Sequence, residues 1–117
     1  MKIEVHGHAV PVTDELRAKI DKRFAKVAKQ VPESTTLRLD LREKDASHGP
    51  TEYVVEAAIH LKGTDLRATD HSREVEHAVH LVSDELATQV KRHQEKRRDH
   101  RAVRKATGRV NGGTATA

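Results

Sequence analysis

The sequence lacks cysteine and tryptophan, and it contains only one phenylalanine, one tyrosine and three prolines among 117 residues. Without cysteine the protein can form neither a disulfide framework nor a zinc–thiolate site, which weakly favours a reducing compartment. No stretch approaches the ~18 consecutive apolar residues of a membrane helix, and the amino-terminal segment KIEVHGH contains no apolar signal region. We therefore expect a soluble, cytoplasmic protein that has no membrane partner.

The chain is long enough for one domain but not for two separate cores. Charged residues make up 34% of the sequence and hydrophobic residues 35%. Because Phe24 and Tyr53 are the only aromatic residues, the predicted core is thin and is built from valine, leucine, isoleucine and alanine.

Positive charge is concentrated in two segments of the chain. Residues 17–29 carry a net charge of +5 and residues 89–110 carry +7, which leaves −8 on the rest of a chain whose total is +4. Segregated positive charge is typical of a protein that binds a polyanion. A row of basic residues that simply faces solvent is the alternative interpretation of either segment taken alone.

Hydrophobic periodicity predicts four strands and two helices. Apolar and polar residues alternate in the strands, whereas apolar residues recur every three or four positions in the helices. The predicted elements, in order, are strand 1–6, helix 14–31, strand 35–43, strand 53–61, a short strand around 66–68 and a helix from 73 to about 98.

This β-α-β-β-β-α order predicts an α+β fold, a two-layer sandwich in which both helices pack on one face of a four-stranded mixed sheet. A right-handed crossover through the first helix places the first two strands parallel, and short hairpins make the other pairs antiparallel. Residues 1–98 are predicted to form this domain. Residues 99–117 are basic and end in GRVNGGTATA, so they are predicted to be a disordered tail.

A stripe of lysines follows one face of the first predicted helix, away from the apolar stripe. The lysines recur at spacings of three, four and three residues, at Lys19, Lys22, Lys26 and Lys29. Arg23 lies between the two stripes, where its guanidinium can still reach solvent. Asp21 is the only acid in residues 17–29, so the row is predicted to contact several phosphates at once.

The last predicted helix is basic on every side beyond Val90. Its candidate RNA-binding residues are Lys91, Arg92, Lys96, Arg97 and Arg98. Arginine makes bidentate contacts with phosphate, and the segment lacks the aromatic and leucine-rich face of a membrane-surface helix. It therefore favours RNA over a membrane. No helix has the features of a base-reading recognition helix, and two aromatics cannot form a base-stacking platform, so recognition is predicted to depend on phosphates and shape.

No catalytic arrangement is evident in the sequence, since it has no nucleophile with a partnered base, no glycine-rich phosphate loop and no evident acid pair. We therefore predict a protein that is not an enzyme and has no cofactor and no small-molecule substrate. Nine histidines raise the question of a metal site, and His77 and His80 are three residues apart on the last helix. The sequence shows no third residue that would complete a metal site, so we predict that these histidines lie on the surface and bind no metal.

Five segments together carry a resemblance to a known family, namely KIEVHG, DELRAKIDKRFAKV, LRLDLRE, YVVEAAIHLKG and TQVKRHQEK. With the order of the elements, they make roughly residues 1–98 resemble the ribosome hibernation-promoting factors. This bacterial family of stationary-phase translation inhibitors is also called ribosome-associated inhibitors or subunit-interface proteins. The resemblance implies the same β-α-β-β-β-α fold, similar in layout to double-stranded-RNA-binding domains.

The resemblance also implies a function. The family's basic helices contact rRNA of the small ribosomal subunit, in the channel between its head and body, and occupy the mRNA and tRNA positions of idle ribosomes, so that translation is inhibited. By position, the matching basic residues here are Lys22, Arg23, Lys26, Lys91, Arg92 and Lys96.

The chain departs from the family's pattern at four positions. Glu85 and Gln94 stand where lysine is common, His80 stands where aspartate is usual, and His8 stands at a usually basic position. The C-terminal domain by which long-form members dimerise ribosomes has no counterpart here, so we expect a monomer that does not itself dimerise ribosomes.

Two other functions stay open at the level of sequence. One is a general module for structured RNA without a dedicated ribosomal role. The other is an interaction domain whose basic face meets an acidic protein. A protein that contacts several phosphates should lose affinity steeply as salt rises. Salt dependence therefore distinguishes RNA binding from binding to an acidic protein only in part.

Overall fold

A computed structural model describes residues 1–44 and 49–111, with the backbone alone for residues 97–111. Residues 45–48, in the predicted hairpin loop, and 112–117, in the predicted tail, lie outside the described residues. The elements are β1 (Lys2–His8), α1 (Asp14–Arg23), α2 (Ala25–Ala28), β2 (Thr36–Lys44), β3 (Glu52–Leu61), β4 (Thr64–Ser72) and α3 (Val75–Asn111). The predicted α+β class is confirmed.

The four strands form one sheet in the order β1-β2-β3-β4. β1 pairs with β2 in parallel, and the other two pairs are antiparallel, as the crossover argument predicts. Val5 lies opposite Leu39, Leu39 opposite Ala57, and Ala57 opposite Ala68. Because side chains alternate between the two faces of a strand, this register brings the apolar residues of all four strands to one face.

The helices cover that apolar face. Leu37, Leu39 and Leu41 of β2 are fully buried, and they belong to the same core cluster as Ile20 and Phe24 from the first helical segment. α3 adds a row of buried residues, namely Ala78, Val79, Val82, Leu86 and Val90. The core is aliphatic apart from Phe24 and the half-buried Tyr53, and it holds both helical segments on one side of the sheet.

The single helix predicted for residues 14–31 is wrong, because the chain forms α1 and α2 with a break at Phe24. Phe24 has φ −87° and ψ 2°, outside the α-helical region. The N–H of Val27 bonds to the carbonyl of Phe24 at 3.0 Å, a three-residue step that tightens the turn. The Phe24 side chain is fully buried, so the break coincides with the residue that anchors this segment in the core.

The amino terminus of α1 is capped as its sequence suggests. The Thr13 hydroxyl accepts a hydrogen bond from the N–H of Leu16 at 3.1 Å, and Asp14 and Glu15 lie in the first turn. A capping hydroxyl satisfies an otherwise unpaired N–H, and acids are favoured beside the positive end of the helix dipole. Both features stabilise the start of α1.

α3 is much longer than the domain requires. Its 37 residues span about 55 Å at 1.5 Å per residue. The backbone stays helical to Asn111, so the helix crosses residue 98, where the sequence analysis divides the chain, and extends into the segment predicted to be disordered. Arginine, lysine and alanine, which are strong helix formers, make up most of residues 101–106. The division into a domain and a separate tail stays a prediction.

Candidate nucleic-acid interface

α1, α2 and α3 lie side by side and run in the same direction. Three side-chain contacts connect them in succession. Lys19 Nζ bonds to Glu76 Oε1 at 2.6 Å, Lys26 Nζ bonds to Asp84 Oδ1, and the Gln94 amide donates to the carbonyl of Gln30. Since residue numbers rise together on both partners, the first helical segment lies along the first half of α3, and residues 26–30 lie beside residues 84–94.

Two lysines of the predicted stripe are engaged in ion pairs. Lys19 meets Glu76 and also Glu15, at 3.4 Å, and the hydrogen bond with Glu76 raises the pKa of Lys19 above its ordinary value. Lys26 pairs with Asp84, and the hydrogen bond from Lys26 lowers the pKa of the Asp84 carboxyl. These two lysines fasten the first helix to α3, so any phosphate contact they make competes with a carboxylate.

The other three predicted residues of the first segment are exposed. Lys22, Arg23 and Lys29 point to solvent, and in the described part of the chain no salt bridge involves them. Arg23 also lies close enough to Asp84 to contribute to the lowering of its pKa. These side chains are therefore the cations most readily offered to a polyanion on this side of the molecule.

The basic residues of α3 fall on two sides of the helix. Residues 7 or 11 apart share a side at 100° per residue, so Lys91 lies in one row with His80 and Asp84, next to α1 and α2. Arg92 and Lys96 lie instead in the row of Glu85. Lys91, Arg92 and Lys96 are all exposed.

The two rows of α3 divide the predicted site. The part we call the basic helix surface comprises Lys22, Arg23, Lys26, Lys29 and Lys91. Arg92 and Lys96 form a separate flank on the far side of α3. Arg97 and Arg98 continue on α3, and their side chains lie outside the described residues.

Asp84 joins three of the groups on this surface. Its Oδ1 contacts Lys26 and its Oδ2 lies 3.3 Å from His80 Nε2, with Arg23 nearby. Sequence reasoning missed the contacts of Asp84 and Glu76 with the lysines. The only local signal is the four-residue spacing of His80 and Asp84, whereas Lys26 is 58 residues away from Asp84 in the chain.

Glu85 meets a second carboxyl group on the opposite flank. Its hydrogen bond with Asp70 of β4, helped by partial burial, raises the pKa of Glu85 to about 7. The same hydrogen bond lowers the pKa of Asp70. Two carboxyl groups this close share a proton, because both cannot ionise without repulsion. Glu85 thus interacts with the sheet, away from the basic helix surface.

Several histidines lie on the strands and pair with acids. His60 Nδ1 is 2.7 Å from Asp65, His71 Nδ1 is 3.4 Å from Glu52, and His8 Nε2 is 3.8 Å from Asp40. Among the side chains that the structure describes, no group of three histidine or carboxylate residues could hold a metal ion. Also within the described residues, no helix has the length and apolar character to span a membrane.

An open cleft of about 280 Å³ lies near the amino-terminal ends of α1 and α3. Val10, Leu16, Tyr53 and Val75 contribute its apolar lining. Its charged lining consists of three carboxylates, Glu15, Glu43 and Glu76. This acidic end contrasts with the basic carboxyl-terminal half of the same helices and does not suit a polyanion.

Comparison with known proteins places this geometry in a family. The model of the family described as "Sigma 54 modulation protein / S30EA ribosomal protein" matches residues 3–98, the same region over which the resemblance was drawn. The chain belongs to this family. The match covers all four strands and the start of α3 through Arg98, so every residue of the basic helix surface lies inside the family domain.

Relatives in the S30EA family have similar lengths and modest identity. The ribosome hibernation promoting factor of Salmonella typhimurium is 25% identical over 100 residues, covering 86% of this chain and 100% of the relative. The factor of the same name from Acinetobacter guillouiae is 23% identical over 108 residues, covering 88% of this chain and 96% of the relative. The resemblance to hibernation-promoting factors is thus confirmed.

Two solved structures share the S30EA fold. The Thermus thermophilus Protein Y N-terminal domain superposes with a TM-score of 0.67 at 22% identity, covering 79% of this chain and 98% of its own. A ribosomal subunit interface protein from Coxiella burnetii gives a TM-score of 0.64 at 18% identity, covering 81% of this chain and 99% of its own. These matches support the fold, and the likeness to double-stranded-RNA-binding domains stays a prediction.

Proposed function

We propose that this protein is a cytoplasmic hibernation factor that binds the small ribosomal subunit and intact idle ribosomes through the basic helix surface. It occupies the channel for mRNA and tRNA and so inhibits translation. Family membership and relatives named ribosome hibernation promoting factor support the ribosomal role. The observation that carries the site assignment is the parallel packing of the helices, which gathers cations from residues 22–29 and Lys91 on one side.

The chemistry of this surface suits rRNA. Lys22 and Lys29 are seven residues apart, about two helical turns of 5.4 Å each, and Arg23 follows Lys22 directly, so the three side chains can meet more than one phosphate along a strand. Arginine adds a planar, bidentate donor for phosphate oxygens. No aromatic side chain is exposed on the described helices, so binding rests on backbone charge and on the shape of folded RNA rather than on base stacking.

Inhibition in this proposal is steric. A rigid protein bound to rRNA in the channel fills the space that mRNA and tRNA need, so they and the protein cannot be bound there together. The basic helix surface involves three helices, α1, α2 and α3, which are held by the core and by the Lys19–Glu76 and Lys26–Asp84 pairs. Such a preorganised surface loses little conformational entropy on binding.

Charge reversal tests this assignment. We expect the double variant Lys22→Glu with Arg23→Glu to lose about tenfold or more in affinity for purified small subunits, because two phosphate contacts become repulsive. Arg92→Glu with Lys96→Glu, on the flank, should lose less. The measurement is co-sedimentation with small subunits and intact ribosomes at low and high salt, together with translation of a reporter mRNA in vitro.

A matched control lies on the sheet. Arg38→Glu with Arg42→Glu changes the net charge equally, at exposed positions on the open face of β2. This control should bind and inhibit like the unaltered protein. If the sheet variant lost binding and the helix variant kept it, the interface would lie on the sheet. Binding to free duplex RNA without binding to ribosomes would instead support the general RNA module.

A further inference from the structure

His80 occupies a central position on the basic helix surface. It lies in the row of α3 that also holds Asp84 and Lys91, and its Nε2 is 3.3 Å from Asp84 Oδ2. The other oxygen of the same carboxylate holds Lys26. One acidic side chain is thus shared between a permanent cation and an imidazole, which can become a second cation.

The surroundings of His80 contain charged groups from each neighbouring helix. Arg23 of α1 and Lys26 of α2 lie close to Asp84, and Glu76, one turn earlier on α3, is held by Lys19. Below α3, the strands contribute buried aliphatic residues to the core. Asp70 of β4 hydrogen-bonds to Glu85 and lies near His77, on the other side of α3. Asp84 is therefore the direct counter-charge of His80.

The hydrogen bonding of the ring is incomplete. Its Nδ1 is buried and has no hydrogen-bond partner among the described residues, while the side chain as a whole keeps 39% of its surface exposed. A protonated imidazole carries a donor on both nitrogens. Asp84 accepts from Nε2 alone, so protonation adds a positive charge beside this carboxylate, and the exposed part of the ring lets that charge act on a phosphate at the surface.

We propose that His80 is an additional, pH-dependent cation of the nucleic-acid interface, which competes with Lys26 for Asp84 when it is protonated and so strengthens binding to rRNA phosphates below neutral pH. The inference rests on the proposed function and adds regulation to the same site. Histidine is the side chain that most readily changes charge between pH 5 and 8. Protonation raises the charge of the Arg23–Lys26–His80–Asp84 group from +1 to +2 and weakens the hold of Asp84 on Lys26.

The test compares affinity for purified small subunits at pH 6 and pH 8, at constant ionic strength, for the unaltered protein and His80→Gln. The unaltered protein should bind about two- to fivefold more tightly at pH 6, the size of one surface charge interaction. In His80→Gln this gain should be largely lost, while affinity at pH 8 stays the same. A pH response that is absent from the unaltered protein, or fully retained in His80→Gln, would overturn the inference.

A matched control is His60→Gln, because His60 also pairs with an acid, Asp65, at 2.7 Å, but on the outer face of the sheet. It should keep the full pH response. If His60→Gln lost as much of the pH response as His80→Gln, a specific role for His80 would be contradicted. The pH response would then depend on the overall charge of the protein.

A second readout separates this inference from the proposed function. In the free protein, the NMR signals of the Lys26 ammonium and the Asp84 carboxyl should shift with the titration of the His80 ring, and the shifts should vanish in His80→Gln. Ribosome binding with no such coupling would overturn the inference alone. If instead the NMR coupling were seen but the protein bound ribosomes neither at pH 6 nor at pH 8, the proposed function would be overturned. The role of His80 in binding would then fail too.

Discussion

At the scale of single residues, two lysines of the predicted binding stripe are held by acidic partners that are distant in sequence. Lys19 and Lys26 are paired with Glu76 and Asp84, so the lysine stripe is only partly available to a ligand. Exposed ion pairs contribute little to stability, typically about 0–1 kcal/mol each. Their larger effect is on the charge of the surface, because each carboxylate neutralises a lysine that would otherwise attract phosphate.

The Glu85–Asp70 pair predicts how stability depends on pH. Because the pKa of Glu85 is raised to about 7, its contribution is complete below its ordinary pKa and is lost as pH rises through 7. The lowered pKa of Asp70 acts in the opposite direction, and its contribution is lost as pH falls below the ordinary aspartate range. The pair should therefore be most favourable between the ordinary pKa values of the two carboxyls, 3.8 and 4.5, should weaken as pH rises toward 7, and should be repulsive at pH 8.

Replacing Glu85 tests this dependence. We expect Glu85→Gln to raise the melting temperature at pH 8 relative to the unaltered protein, with a smaller difference or a reversal at pH 5.5, because the amide can donate to Asp70 without carrying a charge. Calorimetry at the two pH values measures the effect. Glu95→Gln, at an exposed position of α3, should leave the pH profile unchanged, and an equal effect of both variants would contradict the shared proton.

At the scale of elements, the turn at Phe24 shapes the first helical segment. Its side chain is fully buried and the backbone leaves the α-helical region there. Phe24→Ala should destabilise the fold by about 3–5 kcal/mol, the usual cost of removing a buried phenyl ring. Chemical denaturation measures it, and the partly exposed Val12 provides a control, since Val12→Ala should cost less than about 0.5 kcal/mol. A small effect at Phe24 would show that the core does not depend on this anchor.

The sheet could be predicted from sequence because strand patterns are local. Alternation along LRLDLRE and YVVEAAIHL specifies the buried face, and a shift of register by one residue would expose every leucine of β2. The break at Phe24 could not be predicted this way, because Ile20, Phe24 and Val27 keep helical spacing across it. The contacts of Asp84 could not either, because they depend on how the two helices pack.

The local sequence located the basic residues of the predicted site only in part. Lys22, Arg23 and Lys29, which the charge pattern selected on the first segment, are exposed, and their role in binding stays a prediction. On α3, density of charge alone did not separate Lys91, beside the first segment, from Arg92 and Lys96 on the flank. That separation follows from which side of α3 meets α1 and α2, a tertiary fact that the local sequence does not contain.

At the scale of the whole molecule, charge is polarised along the helices. Acids occupy the first turns of α1 and α3 and line the cleft at that end, whereas the basic helix surface lies toward the carboxyl-terminal ends. This arrangement also complements the helix dipoles. Under the proposed function, the basic side would be attracted to rRNA and the acidic end repelled by it, so that electrostatics would orient the protein on the ribosome before contact.

The most direct test of the central claim is competition for the small subunit. Purified small subunits are first loaded with mRNA and tRNA, and the bound fraction of this protein is then measured by co-sedimentation against unloaded subunits. If the basic helix surface occupies the channel, loaded subunits should bind much less protein, and excess protein should prevent loading. Stoichiometric binding of the protein together with mRNA and tRNA on the same subunit would contradict the account.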